Sequence, residues 1–226
     1  MALLLNLETA TTNCSISIAE DGRLLALREQ NSAQYSHAEQ LHPFIEAVMD
    51  ELGLSLSNLD AVAVSKGPGS YTGLRIGVSA AKGLCFALGI PLISVATLES
   101  MVQEQKDGDA SFLIPLLDAR RMEVYSAVFD AHGNCVRNTE AEIITEASFA
   151  TFSAQGKVLL LGSGAEKCRG VVAHENIHID SSVVPSAKEM AALSYHKWMA
   201  NDLEDVAYFE PYYLKDFVLQ GKGKKG

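Results

Sequence analysis

Residues 64–77 read VSKGPGSYTGLRIG, and they connect a short apolar run to a longer amphipathic one. The apolar run at residues 61–64 predicts a buried strand, and residues 71–88 have the apolar spacing of a helix. The glycines, the proline and the hydroxyl side chains between them predict a tight strand–loop–helix connection. Because backbone N–H groups at a helix start can bind an anion, this connection is a candidate nucleotide or anion loop. Its candidate residues, including two from the first predicted turn, are Glu8, Thr9, Gly67, Gly69, Ser70 and Thr72.

The spacing of this loop departs from two common nucleotide-binding signatures. A P-loop carries a lysine directly after its second glycine, but no lysine follows Gly73. A dinucleotide-binding fingerprint carries its third glycine where Thr72 stands. A tight turn and close helix packing would need the same glycines without any ligand. The residues alone leave both explanations open.

Two similar successions of strands and helices follow each other along the chain. The first is predicted at residues 3–7, 14–19, 23–28, 36–52, 61–64, 71–88 and 91–95, with Asp21-Gly22 as a hairpin turn. The second is predicted at residues 112–117, 123–129, 135–144, 148–154, 158–161, 176–180 and 187–199. The repetition predicts two related α/β domains joined by a polar linker at residues 103–109. The first helix is predicted to start either at Ser36 or near His42. The second start would place Pro43 at the first helical position.

The composition argues against several classes of protein. The chain has 226 residues, of which 48% are hydrophobic, so it can bury a large core. Its net charge of −10 opposes nucleic-acid phosphates, which argues against tight RNA binding by this chain alone. No apolar run reaches membrane-spanning length, and the N-terminus lacks the basic residues of a signal peptide.

The cysteines and the C-terminal lysines complete this picture. Four scattered cysteines without a CxxC pair are typical of buried thiols in a reducing compartment, so we expect a cytoplasmic protein. They are Cys14, Cys85, Cys135 and Cys168. A glycine-rich, lysine-rich end is expected to be a solvated tail. Its lysines are Lys215, Lys222, Lys224 and Lys225.

Two other motifs compete as functional sites. Residues 174–178 read HENIH, which matches the zinc-protease pattern HExxH. That pattern binds zinc on a helix, whereas the alternating β-branched residues around it predict a strand. In a strand the two imidazoles would lie about 13 Å apart, too far for one zinc ion. Asp118, Arg120 and Arg121 form a charged turn, either a structural ion pair or an anion contact between the domains.

Four segments together carry a specific family resemblance. They are LLNLETATTNCSISI, SKGPGSYTGLRIGVSAAKGLCFALGIPLISVATLESM, LDARRMEVYSAVF and EPYYL. These segments resemble the TsaB (YeaZ) family, whose members have the two-lobed, ribonuclease H-like fold of actin-like proteins and sugar kinases. The resemblance implies an α/β architecture of mixed sheets flanked by helices. It also implies an N-terminal lobe at residues 1–102 and a C-terminal lobe at residues 110–226.

The resemblance implies a function as well. The family takes part in making threonylcarbamoyladenosine in tRNAs that read codons beginning with adenine. Its members act as partners of the threonylcarbamoyltransferase TsaD, together with the ATPase TsaE. We therefore expect a chain that forms a homodimer when alone, binds TsaD and TsaE, contacts tRNA only indirectly and does not bind a membrane. No tightly bound cofactor is expected; ATP or ADP would bind at an interface of the complex.

Two departures from related enzymes imply a loss of catalysis. In TsaD a helix carries two metal-binding histidines four residues apart, and here Thr97 and Met101 occupy those positions. Neither side chain replaces imidazole as a ligand for a hard or borderline metal. Superfamily enzymes have an aspartate at the end of the first strand, where this chain has Glu8. Glu8 either holds a metal-bound water or, as we expect, caps a turn. We assign no catalytic and no metal-binding residue.

The helix after the glycine loop is the predicted partner-binding face. Its glycines at positions 73, 77 and 83 would allow another helix to approach closely, although packing within the domain explains them equally well. The predicted interface residues are Tyr71, Leu74, Arg75, Val78, Ser79 and Lys82. Two other functions compete with the partner role. One is an ATPase or small-molecule kinase that uses the glycine loop, and the less favoured one is a zinc metallopeptidase that uses HENIH.

Overall fold

The computed structural model describes residues 1–32 and 37–214. The lysines of the predicted C-terminal tail lie outside these residues. Within the described ranges, no helix is both long and apolar enough to cross a membrane.

The first of two sheets is formed by β1 (Leu3–Glu8), β2 (Asn13–Glu20), β3 (Arg23–Asn31), β4 (Ala61–Gly67) and β5 (Leu92–Ala96). Their spatial order is β3-β2-β1-β4-β5. β1 pairs antiparallel with β2 and parallel with β4. Asp21 and Gly22 join β2 to β3 with φ angles of 49° and 80°, which confirms the predicted hairpin. The parallel strands are almost continuously buried, as expected for strands covered on both faces.

The second sheet repeats this topology. It is formed by β6 (Phe112–Asp118), β7 (Glu123–Asp130), β8 (Cys135–Ile143), β9 (Val158–Leu161) and β10 (Ile177–Asp180). The order is β10-β9-β6-β7-β8, so three antiparallel strands are again followed by parallel ones. The prediction of two related α/β halves with mixed sheets is confirmed.

The described residues contain the helices α1 (His37–Glu51), α2 (Tyr71–Leu88), α3 (Thr97–Met101), α4 (Ala150–Ser153) and α5 (Ala187–Met199). α1 and α2 cover one face of the first sheet and bury a shared apolar core. At the start of α2, Ser70 Oγ accepts a hydrogen bond from the Gly73 N–H, and the helix ends at Gly89 in the left-handed conformation. Because both ends carry such caps, the predicted bounds of this helix are confirmed.

α5 covers the opposite face of the first sheet, although it follows the second sheet in the chain. Ala187 and Met190 pack with Leu4 and other residues of β1, β4 and β5. Ser194 Oγ donates to Asn6 Oδ1 at 2.7 Å. The predicted boundary, which assigned residues 110–226 to the second lobe, is therefore corrected: α5 belongs structurally to the first lobe. The apolar face of the first sheet needs this cover, and chain order does not decide which helix supplies it.

Two local predictions differ from the structure. Of the two starts predicted for the first helix, the one near His42 is wrong, because α1 begins at His37 and Pro43 lies inside it. Pro43 has no N–H group to donate to the Glu39 carbonyl. Both residues are exposed, so water can take the place of this hydrogen bond. Cys135, expected to be buried, is exposed because it begins the edge strand β8.

Candidate docking face and glycine loop

The glycine loop packs directly on the turn between β1 and β2. A Cβ atom at Gly73 would lie 2.1 Å from the Thr9 carbonyl oxygen, and one at Gly69 would lie 2.4 Å from the Ala10 carbonyl oxygen. A Cβ atom at Gly77 would lie 2.2 Å from Thr9 Oγ1. Since real Cβ atoms do not approach other atoms so closely, the turn fits against α2 because these three positions are glycine.

Hydrogen bonds hold the loop and the turn together. The Ser70 N–H donates to the Ala10 carbonyl at 2.6 Å, and Thr9 Oγ1 donates to the Gly73 carbonyl at 2.8 Å. The Ala10 carbonyl thus takes up an N–H group at the helix start that a bound anion would otherwise contact. Close packing accounts for the glycines without a ligand. Thr72 does not join this contact and instead lines a surface groove.

Glu8 is fully buried beneath the loop. Its Oε1 accepts hydrogen bonds from the Ala10 N–H at 2.5 Å and from Ser65 Oγ at 2.9 Å, so it caps the turn. Its Oε2 accepts no hydrogen bond from any described residue. Burial raises the pKa of Glu8 to about 7, and the nearby Glu189 carboxylate adds to this effect.

Glu8→Gln is expected to flatten the pH dependence of stability. The folded Glu8 carboxyl has a pKa of about 7, against 4.5 for an ordinary glutamate. The folded chain holds a proton that the unfolded chain releases, so stability should fall as the pH rises from 4.5 to about 7. This loss is on the order of 3 kcal/mol, because each pKa unit corresponds to about 1.4 kcal/mol. Urea unfolding across this pH range measures it.

Glu189, whose pKa burial also raises to about 7, should preserve part of the slope in this variant. Glu46→Gln, which removes the same charge from an exposed position on α1, is the matched control. A Glu8→Gln variant with the slope of the unmodified chain would contradict the prediction.

A cleft of about 330 Å³ lies between residues of the two lobes. Its charged lining residues are Glu29, Glu104, Asp180, Lys188 and Glu189. Four of these five side chains are carboxylates. Lys188, the cation among them, forms an ion pair with Glu104, so the cleft carries excess negative charge. A nucleotide polyphosphate would meet like charge in this cleft, which is not lined by any residue of the glycine loop.

Of the two positions that correspond to the metal-binding histidines of TsaD, Met101 lines this cleft and Thr97 does not. Thr97 is fully buried and Met101 is 3% exposed, both on α3. The Met101 methyl group packs closely against Gly162, where a Cβ atom would lie 2.3 Å from it. In the part of the chain that the structure describes, no cluster of three or more His, Cys, Asp or Glu side chains is arranged to hold a metal ion.

The two competing motifs adopt structural roles. In HENIH, His174 precedes the turn at Glu175 and Asn176, and His178 lies in the strand β10, so the pair does not share a helical face. Asp118 does not pair with either arginine of its turn. Its carboxylate accepts from the Arg120 backbone N–H at 2.6 Å and forms an ion pair with Lys167 at 2.8 Å, which corrects the predicted pairing.

An open groove of about 770 Å³ runs between α1 and α2. Apolar side chains dominate its lining, with Arg75 and Tyr71 at one end of the α2 side. Its lining residues are Ala38, Leu41, His42, Tyr71, Thr72, Arg75, Ile76, Ser79, Ala80, Gly83 and Leu84. A Cβ atom at Gly83 would meet nothing within 4 Å, so this glycine faces open space. An elongated apolar groove between two helices is suited to a helical partner.

The six predicted interface residues separate into three groups. Tyr71, Arg75 and Ser79 line the groove. Leu74 and Val78 are 1% and 4% exposed, because they face the core of the first lobe, and they form no part of that surface. Lys82 hydrogen-bonds the backbone of the chain's own C-terminal segment. Gly73 and Gly77, expected to admit a partner helix, contact the chain's own Thr9 instead.

Comparison with known proteins agrees with this geometry. A family model described as TsaD, tRNA N6-adenosine threonylcarbamoyltransferase, matches residues 30–216. The tRNA threonylcarbamoyladenosine biosynthesis protein TsaB of Escherichia coli is 29% identical over 227 residues, covering 95% of each chain. The chain belongs to the TsaB (YeaZ) family.

Solved structures of TsaB-type proteins have the same fold. A Pseudomonas aeruginosa protein described as similar to the peptidase YeaZ superposes with a TM-score of 0.82 at 27% identity, over 95% of this chain and 100% of that one. YeaZ from the same organism superposes with a TM-score of 0.79 at 26% identity, again over 95% and 100% of the chains. The TsaB protein of Bacillus subtilis is 29% identical over 126 residues, which is 56% of this chain and 54% of that protein.

The α1 side of the groove was not predicted from the sequence. Ala38, Leu41 and His42 supply its α1 side. Ala38 and His42, which are exposed one turn apart on α1, were the available signal for this surface. Tyr213 was also missed as a functional candidate; the aromatic cluster in EPYYL was the available signal.

Proposed function

We propose that this chain takes part in the biosynthesis of threonylcarbamoyladenosine in tRNA as a non-catalytic subunit that binds and organises TsaD, together with TsaE. Membership of the TsaB family supports the pathway. The observation that carries the partner role is a contrast between two features of the first lobe. The chain's own turn fills the approach to the glycine loop, whereas the groove between α1 and α2 is open and mainly apolar.

The groove is the proposed docking face for TsaD. The family model that matches this chain is that of TsaD, so the two proteins are expected to share helices in corresponding places. A surface of two helices can pair with the corresponding helices of a second copy or of a relative about a two-fold axis. Homodimer and complex with TsaD would therefore use the same face and exclude each other.

The charge of the chain supports an indirect relation to tRNA. With a net charge of −10, the chain as a whole repels tRNA phosphates, and TsaD is the proposed subunit that holds the tRNA. No nucleotide is proposed to bind this chain tightly by itself. ATP or ADP would bind at an interface formed in the complex.

Light scattering coupled to size-exclusion chromatography tests the proposal. This chain alone should elute as a homodimer, and mixing with TsaD from the same organism should yield a one-to-one heterodimer. Adding the chain to TsaD and TsaE should then be required for modification of tRNA. Modification by TsaD and TsaE without this chain would contradict the proposal. Nucleotide hydrolysis by this chain alone, without TsaD binding, would favour an ATPase instead.

A further inference from the structure

Residues 204–214, which we call the C-terminal strap, return across the first lobe after α5. The strap begins at β5, where the Glu204 N–H donates to the Leu92 carbonyl at 2.8 Å. Ser94 Oγ donates to the Glu204 carboxylate at 2.5 Å in the same place. The strap is therefore tied to the sheet before it reaches α2.

Lys82 ties the middle of the strap to α2. Its ammonium group donates to the Ala207 carbonyl at 3.1 Å and to the Phe209 carbonyl at 2.9 Å. Lys82 does not line the groove between α1 and α2. Its contact with the strap thus lies outside the proposed docking face.

The end of the strap reaches the glycine loop. The Tyr212 N–H donates to the Lys66 carbonyl at 2.7 Å. Gly67 has a φ of +112°, and a Cβ atom there would lie 2.9 Å from the Tyr212 carbonyl oxygen. Gly67 therefore adopts a conformation reserved for glycine and makes room for the strap.

Tyr213 connects the strap to the groove. Its ring lies 4.9 Å from the Tyr71 ring, and its hydroxyl accepts a hydrogen bond from Arg75 Nε at 3.2 Å. The Arg75 guanidinium lies 4.2 Å from the centre of the Tyr71 ring. Tyr71 and Arg75 both line the groove, so the strap fixes the two side chains that form one end of the docking face.

We propose that the C-terminal strap positions Tyr71 and Arg75 for the partner, with Tyr213 and Lys82 as positioning residues. A long arginine loses conformational freedom when it is held in a complex, and the strap removes this freedom beforehand. Docking of TsaD therefore depends on a segment that lies beside the groove. This inference rests on the function proposed above, since it concerns the affinity of the same groove for TsaD.

Lys82→Ala tests the strap without altering the groove. Lys82 hydrogen-bonds the strap and does not line the groove. Lys157→Ala is the matched control, since Lys157 pairs with Asp109 in the second lobe. Hydrogen–deuterium exchange of residues 204–214 reports release of the strap, and calorimetric titration with TsaD reports docking. Lys82→Ala should speed exchange of the Tyr212 N–H and weaken TsaD binding about tenfold. Tyr213→Phe, which keeps the ring, should weaken binding less than Tyr213→Ala.

Each contrary outcome has a distinct meaning. If the strap exchanges faster while the affinity for TsaD is unchanged, the positioning role is wrong and the docking proposal stands. If the affinity falls without faster exchange, Lys82 contacts TsaD directly and the positioning role is again wrong. If the unmodified chain does not bind TsaD, the proposed function fails and this inference fails with it.

Discussion

Gly73→Ala is expected to lower the free energy of unfolding by about 3 kcal/mol, at the upper end of the usual cost of overpacking. The new Cβ atom would lie 2.1 Å from the Thr9 carbonyl oxygen, which is backbone and cannot rotate away. The turn between β1 and β2 would have to move, and the hydrogen bond from Thr9 Oγ1 to the Gly73 carbonyl would be strained. For a chain of this size the melting temperature should fall by about 6–12 °C.

Gly83→Ala is the matched control for this prediction. Gly83 lies in the same helix, but a Cβ atom there would meet nothing within 4 Å. Since alanine is the better helix former, Gly83→Ala should stabilise the chain by up to about 1 kcal/mol. Urea unfolding of both variants measures the contrast. Equal effects at the two positions would show that helix propensity, and not contact with the turn, governs these glycines.

Ser79→Arg is expected to weaken the complex with TsaD about 100-fold, because it would place an unpaired charge in a contact between apolar helices. Ser79 is exposed in this chain and lines the middle of the groove, so the fold itself should tolerate the change. The homodimer should dissociate as well, since it is proposed to use the same face on both copies. Light scattering of the variant, alone and mixed with TsaD, measures both effects.

Ala87→Arg is the matched control for the docking face. Ala87 is an exposed small residue of the same helix, and it does not line the groove. The variant should retain the homodimer and the affinity for TsaD. Loss of binding in both variants would point to a general effect of added positive charge, and loss in neither would remove the groove from the proposed interface.

Elements defined by local patterns could be predicted closely from the sequence. The bounds of α2 and α5 were predicted from apolar spacing, and each helix starts at a serine whose side chain accepts a backbone hydrogen bond. β9 was predicted with its observed bounds from a short apolar run. Errors arose where the pattern gave no direction: Leu74 and Val78 have suitable spacing, but the first sheet already covers them.

The sequence by itself determined the succession of strands and helices, the repeated α/β halves and the family, because these follow from periodicity, turn residues and motifs along the chain. The tertiary structure decided what each of these residues contacts. It brought Thr9 against Gly73, returned α5 to the first sheet and laid the strap beside Tyr71. Periodicity indicates which face of an element is buried, but the partner for that face comes from a distant part of the chain. That choice depends on how all the elements pack together.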